Sequence, residues 1–196
     1  MTIEVVRLTG TDLSAALDDL ARLRIAVFRA WPYLYDGSFD YERAYFASFV
    51  ASRGAIAVVA RDGDRIVGAA TAAPMGEHAD GLAEPLAASG YDISRLFYLG
   101  ESVLLPDYRG RGLGHAFFEH REAHGRSLGG FTRAVFCSVI RPADHPMRPA
   151  DYRPLDPFWR KRGYVPVPGL TGSLSWLDLG ERAETAKPMQ FWMTSL

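Results

Sequence analysis

The strongest constraint on how this chain folds lies at its middle. Residues 103–114 read Val-Leu-Leu-Pro-Asp-Tyr-Arg-Gly-Arg-Gly-Leu-Gly, between an apolar run at 96–105 and an amphipathic stretch that continues to about Leu128. The run closed by Pro106 predicts a strand, and the stretch beyond the glycines predicts a helix. Gly110, Gly112 and Gly114 strip side chains from the turn between them. The first N–H groups of a helix have no partner inside it, and the helix dipole adds partial positive charge there. Arg109 and Arg111 raise the potential further. A diphosphate is the natural guest of such a turn. Two common nucleotide turns are excluded. A Walker loop needs Gly-Lys-Ser/Thr, which does not occur, and the dinucleotide turn needs a glycine where this chain has His115.

Elements on either side extend the pattern. Residues 3–8 read as a short strand rich in β-branched side chains. Thr11 or Asp12 can cap a helix with apolar positions at Leu13, Ala16, Leu17, Leu20, Leu23 and Val27, ending near Ala30 ahead of Pro32. An aromatic loop follows, Trp31-Pro32-Tyr33-Leu34-Tyr35-Asp36-Gly37, and Asp40 opens a second helix carrying Tyr41, Ala44, Tyr45 and Phe49. Apolar runs at 55–61 and 65–73 flank Asp62-Gly63-Asp64, a hairpin signal. Residues 76–92 read as a loop with a helical turn. A strand at 133–140, a proline-rich loop at 141–154 and a short helix at 155–162 come next. Gly163 stops that helix, and strands at 171–179 and 188–195 close the chain. The order β-α-α-β-β-β-α-β-α-β-β predicts a mixed α+β domain on one sheet.

Composition narrows the partners. A chain of 196 residues is the size of one domain, and 48% hydrophobic content excludes a disordered one. With 22 Lys and Arg against 23 Asp and Glu, no basic excess exists to hold nucleic acid. The lone Cys137 allows no intrachain disulfide, residues 1–7 carry no signal pattern, and no run of ~18 apolar residues could span a membrane. A cytoplasmic protein with no membrane partner is the expectation. Asparagine is absent, so no Asn side chain can serve in a site.

Arg109, Gly112 and Gly114 form Arg-x-x-Gly-x-Gly, following a strand with a proline between. This resembles motif A of the GNAT superfamily of acyl-CoA-dependent N-acyltransferases. Phe158-Trp159-Arg160-Lys161-Arg162-Gly163-Tyr164 is similar to that family's second signature, roughly Leu-Tyr-x-x-x-Gly-Phe. The element order resembles the family fold over residues 3–196. The resemblance implies a single GNAT domain over 1–196, with a central mixed β-sheet of about seven strands flanked by about four helices. It implies acetyl-CoA as co-substrate and no metal. The turn residues Arg109, Gly110, Arg111, Gly112, Leu113, Gly114 and His115 would hold its pyrophosphate, and the strand at Val103 and Leu104 would pair with its pantetheine.

The same resemblance implies roles in catalysis. Glu101 stands where family members place a general base, and flanking Leu99 and Val103 should desolvate it and raise its pKa. A backbone N–H near Leu104 would meet the oxyanion, between strands splayed over 99–105 and 133–139. The proton donor departs from the family pattern: Trp159 occupies the usual tyrosine position. Tyr152, at about the place of a family asparagine, is the candidate, and Tyr164 takes a core position. The acceptor would be a small amine or a peptide N-terminus, lined by Trp31, Tyr33, Tyr35 and Asp36, whose aromatic faces and carboxylate suit a cation. The alternative is a catalytically silent acyl-CoA-binding module. The apolar run Phe191-Trp192-Met193 could support a homodimer.

Other patterns carry less. Gly125-Arg126-Ser127-Leu128-Gly129 fits a hydrolase elbow literally, but helix precedes and strand follows. His120 and His124 share a helix face without a third ligand. The 141–162 segment, with six basic residues against three acidic ones, reads as a solvated face or a site for the 3′-phosphate of CoA. Cys137 reads as a small buried hydrophobe.

Overall fold

A computed structural model describes residues 3–78 and 81–196. Its centre is one seven-stranded sheet in the order β1-β2-β3-β4-β5-β7-β6. β1 (Glu4–Leu8), β2 (Ile56–Asp62), β3 (Arg65–Pro74) and β4 (Leu96–Leu104) form an antiparallel run, with the β2–β3 hairpin turning at Gly63, φ +59°. β5 (Arg133–Val139) is parallel to β4, and α6 (Leu113–Leu128) makes the crossover. β7 (Thr185–Ser195) is antiparallel to β5 along that strand's whole length, and β6 (Val165–Trp176) forms the edge.

β2 and β3 are apolar almost throughout, because the sheet is covered on both faces. One face packs Ala57, Val59, Ala69 and Val103 against α1 (Gly10–Ala15), α2 (Leu17–Phe28) and α3 (Phe39–Val50). The other packs Val58, Ala70, Phe97, Leu99, Phe136 and Trp192 against Leu113, Phe117 and Phe118 of α6. A third cluster lies where α5 (Ala83–Ala88) covers Leu96, Val135, Phe191 and Met193.

Seven α-helices among the described residues replace the four expected from sequence. The first expected helix divides at Ala16, whose N–H reaches back three residues to Leu13 O before Leu20 N resumes the four-residue bond. It starts at Gly10 rather than after Thr11 or Asp12. Ser38, not Asp40, caps α3, accepting from Tyr41 N at 3.3 Å. The expected loop at 76–92 contains α4 (Met75–His78) and α5; positions 79 and 80 lie outside the described residues. α7 (Asp156–Lys161) ends at Gly163, φ +86°. β6 begins six residues earlier than expected, since an edge strand tolerates Pro166 and Pro168. Phe191, Trp192 and Met193 are not a dimer surface. β7 is interior to the sheet, and all three are at most 3% exposed.

Candidate active site

The strand–turn–helix at the centre forms as expected. Gly110 and Gly112 take φ of +75° and +80°, where a residue with a Cβ is strained. Gly112 is the N-cap of α6, and no side chain caps the helix. The turn therefore presents N–H groups outward, and a Cβ built at Gly110 or Gly112 would meet nothing within 4 Å. Arg109 donates from Nε to Leu104 O at 3.2 Å, and Arg111 donates to Asp107 O at 2.9 Å over the Tyr108 ring. Gly114 brings α6 against Phe158, which also packs on His115. Leu113 anchors the first turn in the core.

Next to this turn the sheet opens. β4 and β5 pair only at Leu96–Arg133, Phe97–Ala134 and Tyr98–Val135, and they run unpaired beyond. Leu105 N donates to Val67 O at 3.0 Å, so the antiparallel ladder turns the N–H of Leu104 to the other side, into the opening. Ahead of it, β4 carries a bulge. Ser102 pairs with Ala70 and Leu99 with Ala72, so Gly100 and Glu101 together face Thr71. A Cβ at Gly100 would collide with Thr71 Oγ1. The extra residue reverses the alternation: Phe97 and Leu99 face α6, and Val103 faces α2 and α3. Arg121 of α6, fully buried, donates to Thr71 O, Glu101 O and Ser102 Oγ and so ties down the bulge. Burial lowers its guanidinium to about 10.

Glu101 is buried as expected, but not among apolar groups alone. Arg24 Nη1 lies 2.7 Å from its Oε2, and Tyr45 donates to the same oxygen at 3.2 Å. Arg24 Nε meets Glu42 Oε2 at 2.6 Å. Among the described residues, Glu101 Oε1 and Glu42 Oε1 are buried without a geometric hydrogen-bond partner. Tyr33 lies within electrostatic reach of Cys137, Arg24, Tyr152 and Glu101, and burial holds its phenol well above the ordinary range. Tyr98 reaches Cys137 Sγ at 3.6 Å, and burial pushes that thiol up to about 11. Trp31 packs edge-on against Tyr152 at 5.9 Å and at a tilt against His145 at 5.0 Å. Partial burial raises the Tyr152 phenol too.

Tyr33 thus lies near Glu101 and Cys137 beside the opening, with Tyr152 in its electrostatic reach and Trp31 packed on Tyr152; Tyr35 and Asp36 do not join them. Tyr35 is buried beside Glu42, and Asp36 is exposed and pairs with Arg29 at 2.9 Å. Both line a separate surface hollow with Ser38, Tyr41 and Arg182. Trp159 is a core side chain, 5.0 Å from Phe136 and from Trp192. Tyr164 is fully buried and donates to Glu122 Oε1 at 3.0 Å. Two members of the basic 141–162 segment are internal. Arg141 clasps Asp178 with two bonds and also donates to the carbonyls of Pro32 and Tyr33, while Arg162 pairs with Glu122. His120 accepts from Arg7, and His124 meets Gly54 O. Among the described residues no group of three or more His, Cys, Asp or Glu could hold a metal, and no helix is long and apolar enough to cross a membrane.

Arg24, Glu42, Tyr45 and Tyr98 were not anticipated from sequence. A signal existed for two of them. Arg24 sits four residues after Leu20 and Glu42 three after Phe39, each a charge inside an apolar helix stripe.

Comparison with known proteins agrees with this geometry. The model of the acetyltransferase (GNAT) family matches residues 20–150. No curated protein sequence matches the chain significantly. Ribosomal-protein-alanine N-acetyltransferase from Brucella melitensis is similar in fold at 14% identity and TM-score 0.59, covering 98% of this chain and 99% of that one. NAA60 from Arabidopsis thaliana, solved with a bisubstrate analogue, is similar at 13% identity and TM-score 0.60, covering 100% and 99%. The yncA protein of Salmonella typhimurium, solved with acetyl-CoA, is similar at 12% identity and TM-score 0.57, covering 100% and 95%. With a seven-stranded sheet opened beside an uncapped glycine turn, and a family model matching two thirds of its length, the chain belongs to the GNAT acetyltransferase family.

Proposed function

We propose that the chain moves an acetyl group from acetyl-CoA to a primary amine by direct attack in a ternary complex. One juxtaposition carries this reading: the uncapped turn at Gly110–Gly114, the opening between β4 and β5, and a buried carboxylate with a free oxygen stand side by side. The turn fits a pyrophosphate, since left-handed glycines leave its concave face clear and N–H groups line it. Val103 and Leu104 offer the strand edge for the pantetheine arm. The N–H of Leu104, pointing into the opening, is placed to donate to the thioester oxygen as charge develops there.

Only a free amine attacks, so the acceptor's ammonium must lose a proton. Glu101 takes it through Oε1, the oxygen with no hydrogen-bond partner among the described residues. Tyr152, kept neutral by its raised pKa, gives a proton to the departing thiolate. Trp31 and Tyr33 form the wall met by the acceptor, a small amine or a peptide N-terminus, and their ring faces favour its charged form on entry.

Calorimetry with acetyl-CoA, followed by free-thiol release over a panel of small amines and peptides, tests the reading. Binding with release on one amine class supports it. Binding without release on any amine would favour a silent acyl-CoA-binding module, and no binding would overturn the turn assignment. Glu101→Gln should lower kcat/KM by about 100-fold with the acetyl-CoA Kd unchanged. Undiminished turnover would remove Glu101 from the mechanism.

A further inference from the structure

At Arg24 two buried acids share one cation. Arg24 is one cation between two carboxylates, Glu42 and Glu101, with side chains 14%, 0% and 4% exposed. Its guanidinium gives Nε to Glu42 at 2.6 Å and Nη1 to Glu101 at 2.7 Å. Glu42 is the deeper of the two acids and has no exposure through which to reach a substrate. A buried ion pair adds little to stability over apolar packing of the same volume, so stability alone is a weak reason for a second buried acid.

We propose that Glu42 is a positioning residue for proton transfer: by holding one edge of Arg24 it divides that cation between two acids and keeps Glu101 basic. An undivided guanidinium at 2.7 Å would hold Glu101 as a carboxylate too weakly basic to take a proton from an ammonium. Glu42 offsets that charge without touching Glu101 Oε2, which keeps its bonds from Arg24 and Tyr45. Glu101 Oε1, buried and without a hydrogen-bond partner among the described residues, is the oxygen left for the acceptor's proton. This inference rests on Glu101 being the base.

The other groups around Glu101 do not compete for this role. Tyr45 faces it from α3, Tyr98 from its own strand and Tyr33 from the aromatic loop. Cys137 stands on β5, beside Tyr98 and Tyr33. Burial pushes the three phenols and the thiol upward, so all four are neutral where a carboxylate titrates. Arg121, on the Glu101 carbonyl at 3.4 Å, is a cation throughout that range. Glu42 is the group whose charge changes the balance on Arg24.

The test needs no acceptor. Protein labelled with carbon-13 at the glutamate carboxyls is titrated by NMR, with the Glu101 signal identified by its absence from Glu101→Gln. In the isosteric Glu42→Gln variant the Glu101 midpoint should fall by about one pH unit. The double variant Arg24→Gln/Glu42→Gln removes one charge of each sign and avoids stranding two unpaired acids. There the midpoint should rise above that of the unaltered protein, which keeps the proposal testable if the single variant does not fold. An unmoved midpoint in a folded Glu42→Gln, or a fall in the double variant, overturns the proposal. A purely structural role for Glu42 would lower Tm and leave the midpoint in place. Turnover of Glu101→Gln separates the two readings. Wild-type turnover there sinks the base assignment, whereas lost turnover with an unmoved Glu42→Gln midpoint sinks this inference alone.

Discussion

Side chains of one chemical type divide sharply here by where the backbone puts them. Trp159 and Tyr152 differ by seven positions, yet one lies among Phe136 and Trp192 while the other meets Trp31 at the opening. An indole carries no usable proton, and this one is also out of reach, so proton donation passes to a phenol. Tyr152→Phe keeps the ring and its edge contact with Trp31 and removes only the hydroxyl. It should lower kcat about tenfold or more while the acetyl-CoA Kd stays constant. Steady-state kinetics with the amine found by the panel checks this, and an unchanged kcat would mean that the thiolate leaves without an acid. Glu101 was legible as a buried acid on a strand. Its cation was not, because Arg24 lies 77 positions earlier and no local pattern links a helix charge to a strand charge.

Among the elements, the aromatic loop depends on a clamp made elsewhere in the chain. Arg141, just beyond β5, holds the carbonyls of Pro32 and Tyr33 and clasps Asp178, with Lys187 at 3.5 Å from the same acid. Burial alone would raise the Asp178 pKa, but the Arg141 bonds and charge outweigh it, and the net shift is downward. The folded state therefore releases this proton at lower pH than the unfolded chain does. The stabilisation is complete above the ordinary aspartate value of 3.8 and is lost as pH falls through the folded value. Asp178→Asn should cost about 3 kcal/mol at pH 7, measured by urea unfolding, because it strands a buried arginine. That difference should shrink below about pH 4, and a constant difference across pH would mean that packing, not charge, is at stake.

Over the whole molecule, two faces of one sheet divide the work. The α2–α3 face supplies charge beside β4, and the α6 face supplies the anion turn and pins the bulge. A ligand that bridges turn and opening stabilises only the folded arrangement. Acetyl-CoA at about 100 times its Kd should add about 2.7 kcal/mol and raise Tm by roughly 5–10 °C in a domain of this size. Gly112→Glu combines a strained left-handed backbone with a carboxylate aimed at the phosphate site. A thermal scan of that variant should show no rise with acetyl-CoA, and a retained rise would mean that the co-substrate binds elsewhere.

Local chemistry was enough for the sequence alone to give the succession of strands, the glycine turn and the buried acid on β4. Apolar periodicity, turn glycines and a proline after a strand each act within a few residues, so they can be read without knowing the fold. What only the tertiary structure decided is where the opening falls, which face Glu101 takes, and which aromatic residues reach it. The bulge at Gly100 and Glu101 depends on pairing with β3 and on an arginine from α6. The exclusion of Tyr35 and Asp36 follows from α3 drawing Tyr35 inward beside Glu42. The apolar end of the chain became core because β7 enters the sheet between β5 and β6. Each outcome is a competition between distant segments for the same buried space or the same charge, and that competition exists only once the chain is folded.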